Sequence, residues 1–293
     1  MKKHTVIPFG GIEQPEESQA AAGIIPAPLE ATVSWGRGAS LGPAGIMAAS
    51  AAMELYDEVL GEEIYRRGIL THQAVPVAGG PEEVLAGIEQ AVAAELAAGR
   101  LPVLVGGEHT VTLGALRALV KRRGPDFTVC VLDAHLDLRD EFEGSIYSHA
   151  CVMRRALDLG LSVAHMGVRS CSVEEAALVK ELGLAPAWAH HIHGEPDWLA
   201  KALAGVSGPV YISMDIDGLD PSLVPATGTP EPGGLFWHQA VQWLDALTSK
   251  CPVVGLDLVE LAPVSGLPAS DFIAARLLYR ALGLALARAD KFK

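Results

Sequence analysis

Half of the 293 residues are hydrophobic and only 19% are charged, which excludes intrinsic disorder and supplies apolar side chains for a large core and for subunit interfaces. With 22 Lys and Arg against 35 Asp and Glu, the net charge is −13; a phosphate backbone is thereby a poor partner, and metal ions or protonated amines are natural ones. The four cysteines are far apart, no apolar run approaches the ~20 residues of a membrane span, and the first residues lack a signal-peptide core, so we expect a cytoplasmic protein with reduced thiols and no membrane or nucleic-acid partner.

In chain order, residues 82–99 show helical spacing and end on Gly99, and LPVLVG (101–106) reads as a buried strand. Gly124 occupies a helix C-cap position before a second strand-like run, FTVCVL (127–132). A run at 161–168, a helical stretch at 172–183 ending on Gly183, and a run at 209–214 follow, then a helix at 238–249, a run at 252–259 and a helix at 270–287. This alternation, undivided by repeat or linker, predicts one domain over 1–293 of α/β class: three layers, α/β/α, with a mostly parallel central sheet. Asparagine is absent from the whole chain, which both avoidance of heat-labile residues and a GC-rich coding sequence explain.

In such sheets, sites gather at the carboxyl ends of strands. His109 follows the first run; alone, an imidazole there is better explained by a hydrogen-bonded core or cap residue than by a ligand. Asp133, His135 and Asp137 follow the second run at i, i+2 and i+4, and an extended segment points all three the same way. Unpaired charges at a core edge are costly, which favours a metal over an Asx-rich turn. Asp215 and Asp217 repeat the period-two spacing after PVYISM, and two carboxylates so close need a proton or a cation between them. Asp220, before Pro221, fits a turn, and His190, His191 and His193 lie in a polar segment that reads as a surface loop. Two imidazoles and four carboxylates suit a pair of Mn²⁺, Zn²⁺ or Fe²⁺ ions, hence hydrolysis at an electrophilic carbon or phosphorus.

The strings GGEHT (106–110), DAHLD (133–137), SMDIDGLDPSLVPATGTPEPGG (213–234) and GLDLVELAP (255–263) resemble, in that order, the signature blocks of the ureohydrolases, the family of arginases and agmatinases. The stretch GASLGPAGIMAASAAMELYDE (38–58) is similar to the agmatinase type, and Glu108 stands where the family usually has aspartate. The resemblance implies an arginase-like fold and two Mn²⁺ per chain. His109 and Asp137 would hold one ion, His135 and Asp217 the other, with Asp133 and Asp215 bridging. It further implies hydrolysis of a guanidinium group to urea and an amine, with Glu260 pairing with the guanidinium and Asp137 passing a proton to the departing amine. His149, on a mobile loop beside a capping Ser148, would bind substrate and shuttle protons, and Thr229 would line the site. A homo-oligomer, trimer or hexamer, is expected from the same resemblance.

The loop LRDEFEGSIYSH (138–149) carries Asp140, Glu141 and Glu143 and no Asn. Three carboxylates at a pocket mouth would repel a substrate carboxylate and attract an ammonium. That favours a small cationic guanidine, agmatine or its aminopropyl derivative, giving putrescine or spermidine. Arg139 keeps a guanidino acid such as guanidinobutyrate, or arginine itself, as the alternative. A one-metal deacetylase of the same fold and a non-catalytic binding relative are the readings from other classes.

Overall fold

The computed structural model describes residues 7–292. In chain order its elements are β1 (Ala22–Ala27), α1 (Gly42–Ser50), β2 (Tyr56–Asp57), β3 (Glu62–Glu63), β4 (Ile69–Thr71), α2 (Pro81–Ala97) and β5 (Leu101–Gly106). There follow α3 (Thr112–Arg123), β6 (Thr128–Leu132), α4 (Val152–Asp158), β7 (Ser162–Val168), α5 (Val173–Glu181), β8 (Ala187–Trp188), α6 (Ala189–Gly194) and α7 (Trp198–Ala202). The last are β9 (Val210–Asp215), α8 (Trp237–Lys250), β10 (Val253–Val259) and α9 (Ala269–Arg288), with short 3₁₀ turns between. β2 and β3 form a small antiparallel pair. The other eight strands make one parallel sheet in the order β4-β1-β5-β10-β9-β6-β7-β8.

Strand periodicity builds a core on each face of this sheet. Val103 and Val105 of β5 and Cys130 and Leu132 of β6 pack with Ile46, Trp243, Leu244 and Leu278 from α1, α8 and α9. Their alternate neighbours Leu104, Val129 and Val131 pack with Leu85, Ile88, Leu116 and Met153 from α2, α3 and α4. The three-layer α/β/α class is therefore as the sequence predicts, and the five expected strands lie within a residue of the observed ones. Strand β1 escapes a sequence reading because Pro26 interrupts AGIIPA, and proline is rare inside a sheet. Pro26 is tolerated because its carbonyl accepts from Val75 N (2.8 Å) beyond the end of β4, so its missing N–H faces a side where the ladder has already stopped.

Glu95 of α2, 1% exposed, receives Arg100 through both oxygens at 2.7 Å and lies 3.0 Å from His72. It fits only because residue 23 is glycine: a Cβ there would stand 1.7 Å from Glu95 Oε2. Burial opposes its charge, but the Arg100 hydrogen bonds and the adjacent His72 prevail and draw its pKa down to about 2 from 4.5. A lowered folded pKa means stabilisation that is complete above pH ~4.5 and lost as pH falls toward ~2. Glu95→Gln is accordingly expected to cost about 2 kcal/mol at pH 7, and to flatten the fall in melting temperature between pH 4.5 and 2. An unchanged acid limb in thermal melts would contradict this.

Candidate active site

The residues singled out from sequence meet where β5, β10, β9 and β6, four adjacent strands, end. His109 Nδ1 lies 3.1 Å from Asp133 Oδ2, 3.0 Å from Asp137 Oδ2 and 3.4 Å from Asp215 Oδ2. His135 Nδ1 lies 3.4 Å from Asp133 Oδ1 and 3.1 Å from Asp217 Oδ2. Two groups of donor atoms result, His109 with Asp133 and Asp215, and His135 with Asp133 and Asp217. Asp133 belongs to both and offers a different oxygen to each imidazole, while Asp137 adjoins the first group through His109. Among the described residues these are the clusters in which three or more such side chains come close enough to share an ion.

Among the described residues, the buried His109 Nδ1 and Asp133 Oδ2 have no hydrogen-bond partner. Burial opposes charge on both imidazoles, yet Asp133 and Asp137 hold the His109 pKa well above its ordinary value, and Asp217 and Asp133 push His135 up to about 12. Burial and the Asp217 and Asp133 charges raise the Asp215 carboxyl, and burial with Asp133 lifts Asp137 to about 7. Four carboxylates and two imidazoles this close demand added positive charge, and the orphaned atoms aim at where it would sit. The donor set therefore fits two divalent cations.

The surroundings prepare His109 for such a role. Asp257, fully buried, accepts hydrogen bonds of 2.7 Å from the hydroxyls of Ser213, Tyr211 and Thr112. With its proton committed to Asp257, Ser213 Oγ accepts from His109 Nε2–H at 2.9 Å. Nδ1, whose proton the carboxylates hold in the absence of a cation, is thereby the nitrogen left for a metal to take in that proton's place. Asp137 and Glu260 both take left-handed backbone, φ +52° and +63°, a conformation costing about 1–2 kcal/mol for a residue with a side chain. At Glu260 this turn brings Oε1 within 2.6 Å of the His109 amide, which donates to it. Burial lifts the Glu260 carboxyl to about 8, and the side chain lines the same cavity as the metal-type cluster.

His149 also lines that cavity, and its two ring nitrogens meet the hydroxyls of Thr32 (Nδ1, 2.9 Å) and Ser34 (Nε2, 2.8 Å). Thr32 Oγ1 donates to the buried Glu108 (3.1 Å), so it accepts from His149 Nδ1–H, and Ser34 Oγ–H donates to Nε2. Burial, with the His109 and His135 charges, lowers the His149 pKa to about 4. Thr229 lines the cavity and its hydroxyl lies 3.3 Å from Asp217 Oδ2. Ser148 occupies an N-cap position, but its hydroxyl caps no amide and stands 3.5 Å from His149 Nδ1.

Two sequence expectations are corrected. Asp140, Glu141 and Glu143 do not line the cavity: Asp140 is drawn away by Arg155 at 2.6 Å, and Glu141 and Glu143 are exposed. The residues 190–193 belong to the short helix α6, where buried Ile192 anchors one side and His193 Nε2 bonds the Gly234 carbonyl at 3.0 Å. As expected, Asp220 shapes a turn, accepting from the amides of Ser222, Gly233 and Gly234. Residues that the sequence did not single out are Thr32, Ser34 and Trp35, whose segment crosses the cavity, and Glu175, a 5% exposed carboxylate in its lining.

A parallel sheet with two joined histidine–carboxylate groups at its carboxyl edge defines a class, the binuclear metal hydrolases. The arginase family profile matches residues 20–283, and the chain belongs to that family. It is 39% identical over 275 residues to the N(1)-aminopropylagmatine ureohydrolase of Synechocystis sp., covering 91% of this chain and 89% of that one. It is likewise 39% identical over 277 residues to the N(1)-aminopropylagmatine ureohydrolase of Thermus thermophilus, covering 94% of each. The crystal structure of the agmatine ureohydrolase of Thermoplasma volcanium superposes with a TM-score of 0.86 at 29% identity, covering 99% of this chain and 98% of that one. Among the described residues no helix is long and apolar enough to cross a membrane.

Because metal binding to the folded cluster stabilises it over the unfolded chain, exhaustive chelation is expected to lower the melting temperature by at least about 5 °C. Re-addition of Mn²⁺ should restore it, and equal melts with and without chelator would contradict a metal-binding cluster.

Proposed function

We propose that this protein hydrolyses the guanidinium group of agmatine or N1-aminopropylagmatine, releasing urea with putrescine or spermidine. The observation that carries this reading is the pair of histidine–carboxylate groups sharing Asp133, with Glu260 held beside them in one cavity. We assign the six cluster residues as ligands of two Mn²⁺: His109 and Asp137 for one, His135 and Asp217 for the other, Asp133 and Asp215 for both. When bound, the ions supply a strong nucleophile from water at neutral pH and polarise its target.

The chain's own residues do the rest. Glu260, whose carboxyl burial lifts to about 8, is held ionised by the arriving guanidinium charge and accepts from its planar N–H fork; its Oε1 is already fixed by the His109 amide, so the group enters a prealigned site. Asp137, set against His109 by its left-handed backbone, is placed to carry a proton toward the departing amine. His149 is neutral at pH 7, with a defined tautomer and a hydroxyl on each ring nitrogen, an arrangement suited to relaying protons between cavity and solvent. Thr229 orients Asp217 and lines the wall.

Glu175 supports an amine tail. It lines the cavity, is 5% exposed, and among the described residues accepts from the amides of Leu138 (3.0 Å) and Ser172 (2.8 Å) and has no cationic partner. One observation favours a second reading: Arg139 also lines the cavity, with its guanidinium over the Phe142 ring at 5.0 Å and no carboxylate partner among the described residues, as a guanidino acid would require. We further propose that residues 1–293 act as one catalytic domain, cytoplasmic and assembled as a homo-oligomer, trimer or hexamer. Urea release from agmatine, N1-aminopropylagmatine, arginine and guanidinobutyrate with Mn²⁺, compared by kcat/KM, tests the substrate assignment. A preference for guanidinobutyrate or arginine would overturn it, and release from none would overturn the hydrolase reading.

A further inference from the structure

Residues 31–36 form a strap over the cavity, pinned at three places. The amides of Ala31 and Thr32 both donate to the buried Glu108 carboxylate at 2.6 Å. The hydroxyls of Thr32 and Ser34 hold both nitrogens of His149. Gly36 N donates to the Gly228 carbonyl at 3.0 Å, a contact so close that a Cβ on residue 36 would stand 3.0 Å from the same oxygen. Between Ser34 and Gly36, on this fixed backbone, stands Trp35. Trp35 is among the residues that line the cavity and is 84% exposed, the most exposed large apolar residue among the described residues. No aromatic ring or cation of the described residues stacks on it.

We propose that Trp35 is the specificity-determining contact for the distal tail of the substrate, its indole face receiving the second ammonium and the methylenes of a long polyamine-type guanidine. The cavity has a direction. Its buried end carries His109, Asp215 and Asp217 with the half-buried Glu260 beside them, where the guanidinium is consumed under the function proposed above, on which this inference rests; the most exposed apolar residue of its lining is Trp35. A tail that reaches past the buried end meets the indole. Tryptophan is the side chain best suited to a cation over an apolar chain, because the ring face attracts the ammonium while its area covers the methylenes. The pinned strap holds the ring in place before substrate arrives, so little ordering is left to be done on binding.

The contact discriminates by length: a long tail makes it and a short one does not. The test is the kcat/KM ratio of N1-aminopropylagmatine to agmatine in wild type, Trp35→Ala and Trp35→Phe. Wild type is expected to prefer the longer amine. Trp35→Ala should lower that ratio about 2- to 30-fold through the longer substrate alone, and Trp35→Phe should restore most of it. As a readout independent of turnover, the Trp35 emission, taken as wild type minus Trp35→Phe, should respond to spermidine at lower concentration than to putrescine. Equal losses for both substrates would make Trp35 a structural part of the strap and overturn the inference, as would an unchanged ratio or an emission indifferent to both amines. Wild type inactive on both amines would instead overturn the proposed function itself.

Discussion

Asp133→Asn is expected to reduce bound metal from two ions per chain to one or fewer and to lower kcat by at least about 10³-fold. Asp133 belongs to both donor groups, and each of its oxygens faces a different imidazole. An asparagine can keep the hydrogen bond that Asp133 Oδ1 accepts from the His135 amide at 2.6 Å. Its amide nitrogen would face His109 Nδ1, now without a partner, and would donate to the lone pair that a metal requires. The variant keeps that backbone anchor and should thus fold, so that loss of metal, rather than loss of structure, accounts for its lost turnover. Metal counting on the purified protein decides the matter: two ions per chain in the variant would contradict the assignment.

Glu260→Gln is expected to lower kcat/KM about 10²- to 10³-fold for a guanidine substrate while leaving the metal content unchanged. The amide oxygen of glutamine still accepts the His109 N–H that Glu260 Oε1 accepts at 2.6 Å, so the backbone of a ligand residue stays in place and only the charge facing the guanidinium is removed. Glu260→Ala should behave differently, because it leaves that N–H without its acceptor and loosens His109; there metal affinity should fall as well. Unchanged kcat/KM in Glu260→Gln would return Glu260 to a purely structural role beside His109.

The five strand-like runs and the period-two carboxylates were legible because each is a local pattern: continuous Val, Ile and Leu for a doubly covered strand, and i, i+2 for one face of an extended segment. Pro26 concealed β1, whose place inside the sheet depends on β4 ending early. Asp140 misled in the opposite direction: its neighbours in sequence approach the cavity, but Arg155, fifteen residues on, claims its carboxylate. Glu108 was visible only as a departure from the usual aspartate, and its partners Ala31 and Thr32 lie 77 and 76 residues away.

The absence of asparagine meets the fold at a specific point. Left-handed backbone goes most easily to Gly and then to Asn, and in a chain without Asn the non-glycine examples among the described residues are Asp137, Glu143 and Glu260. Two of these carry the proposed chemistry, where the strained turn aims a carboxylate rather than merely reversing the chain.

By itself, then, the sequence determined the layered α/β class, the residues available as metal donors, and through its signature blocks the family, since these are set by local periodicity and short-range spacing. Tertiary structure alone decided that Asp257 reaches His109 through Ser213, that Glu175 and not Asp140, Glu141 or Glu143 lines the cavity, and that the exposed Trp35 belongs to that lining. Each of those facts depends on which distant side chain reaches a given atom first, and no periodicity along the chain encodes that.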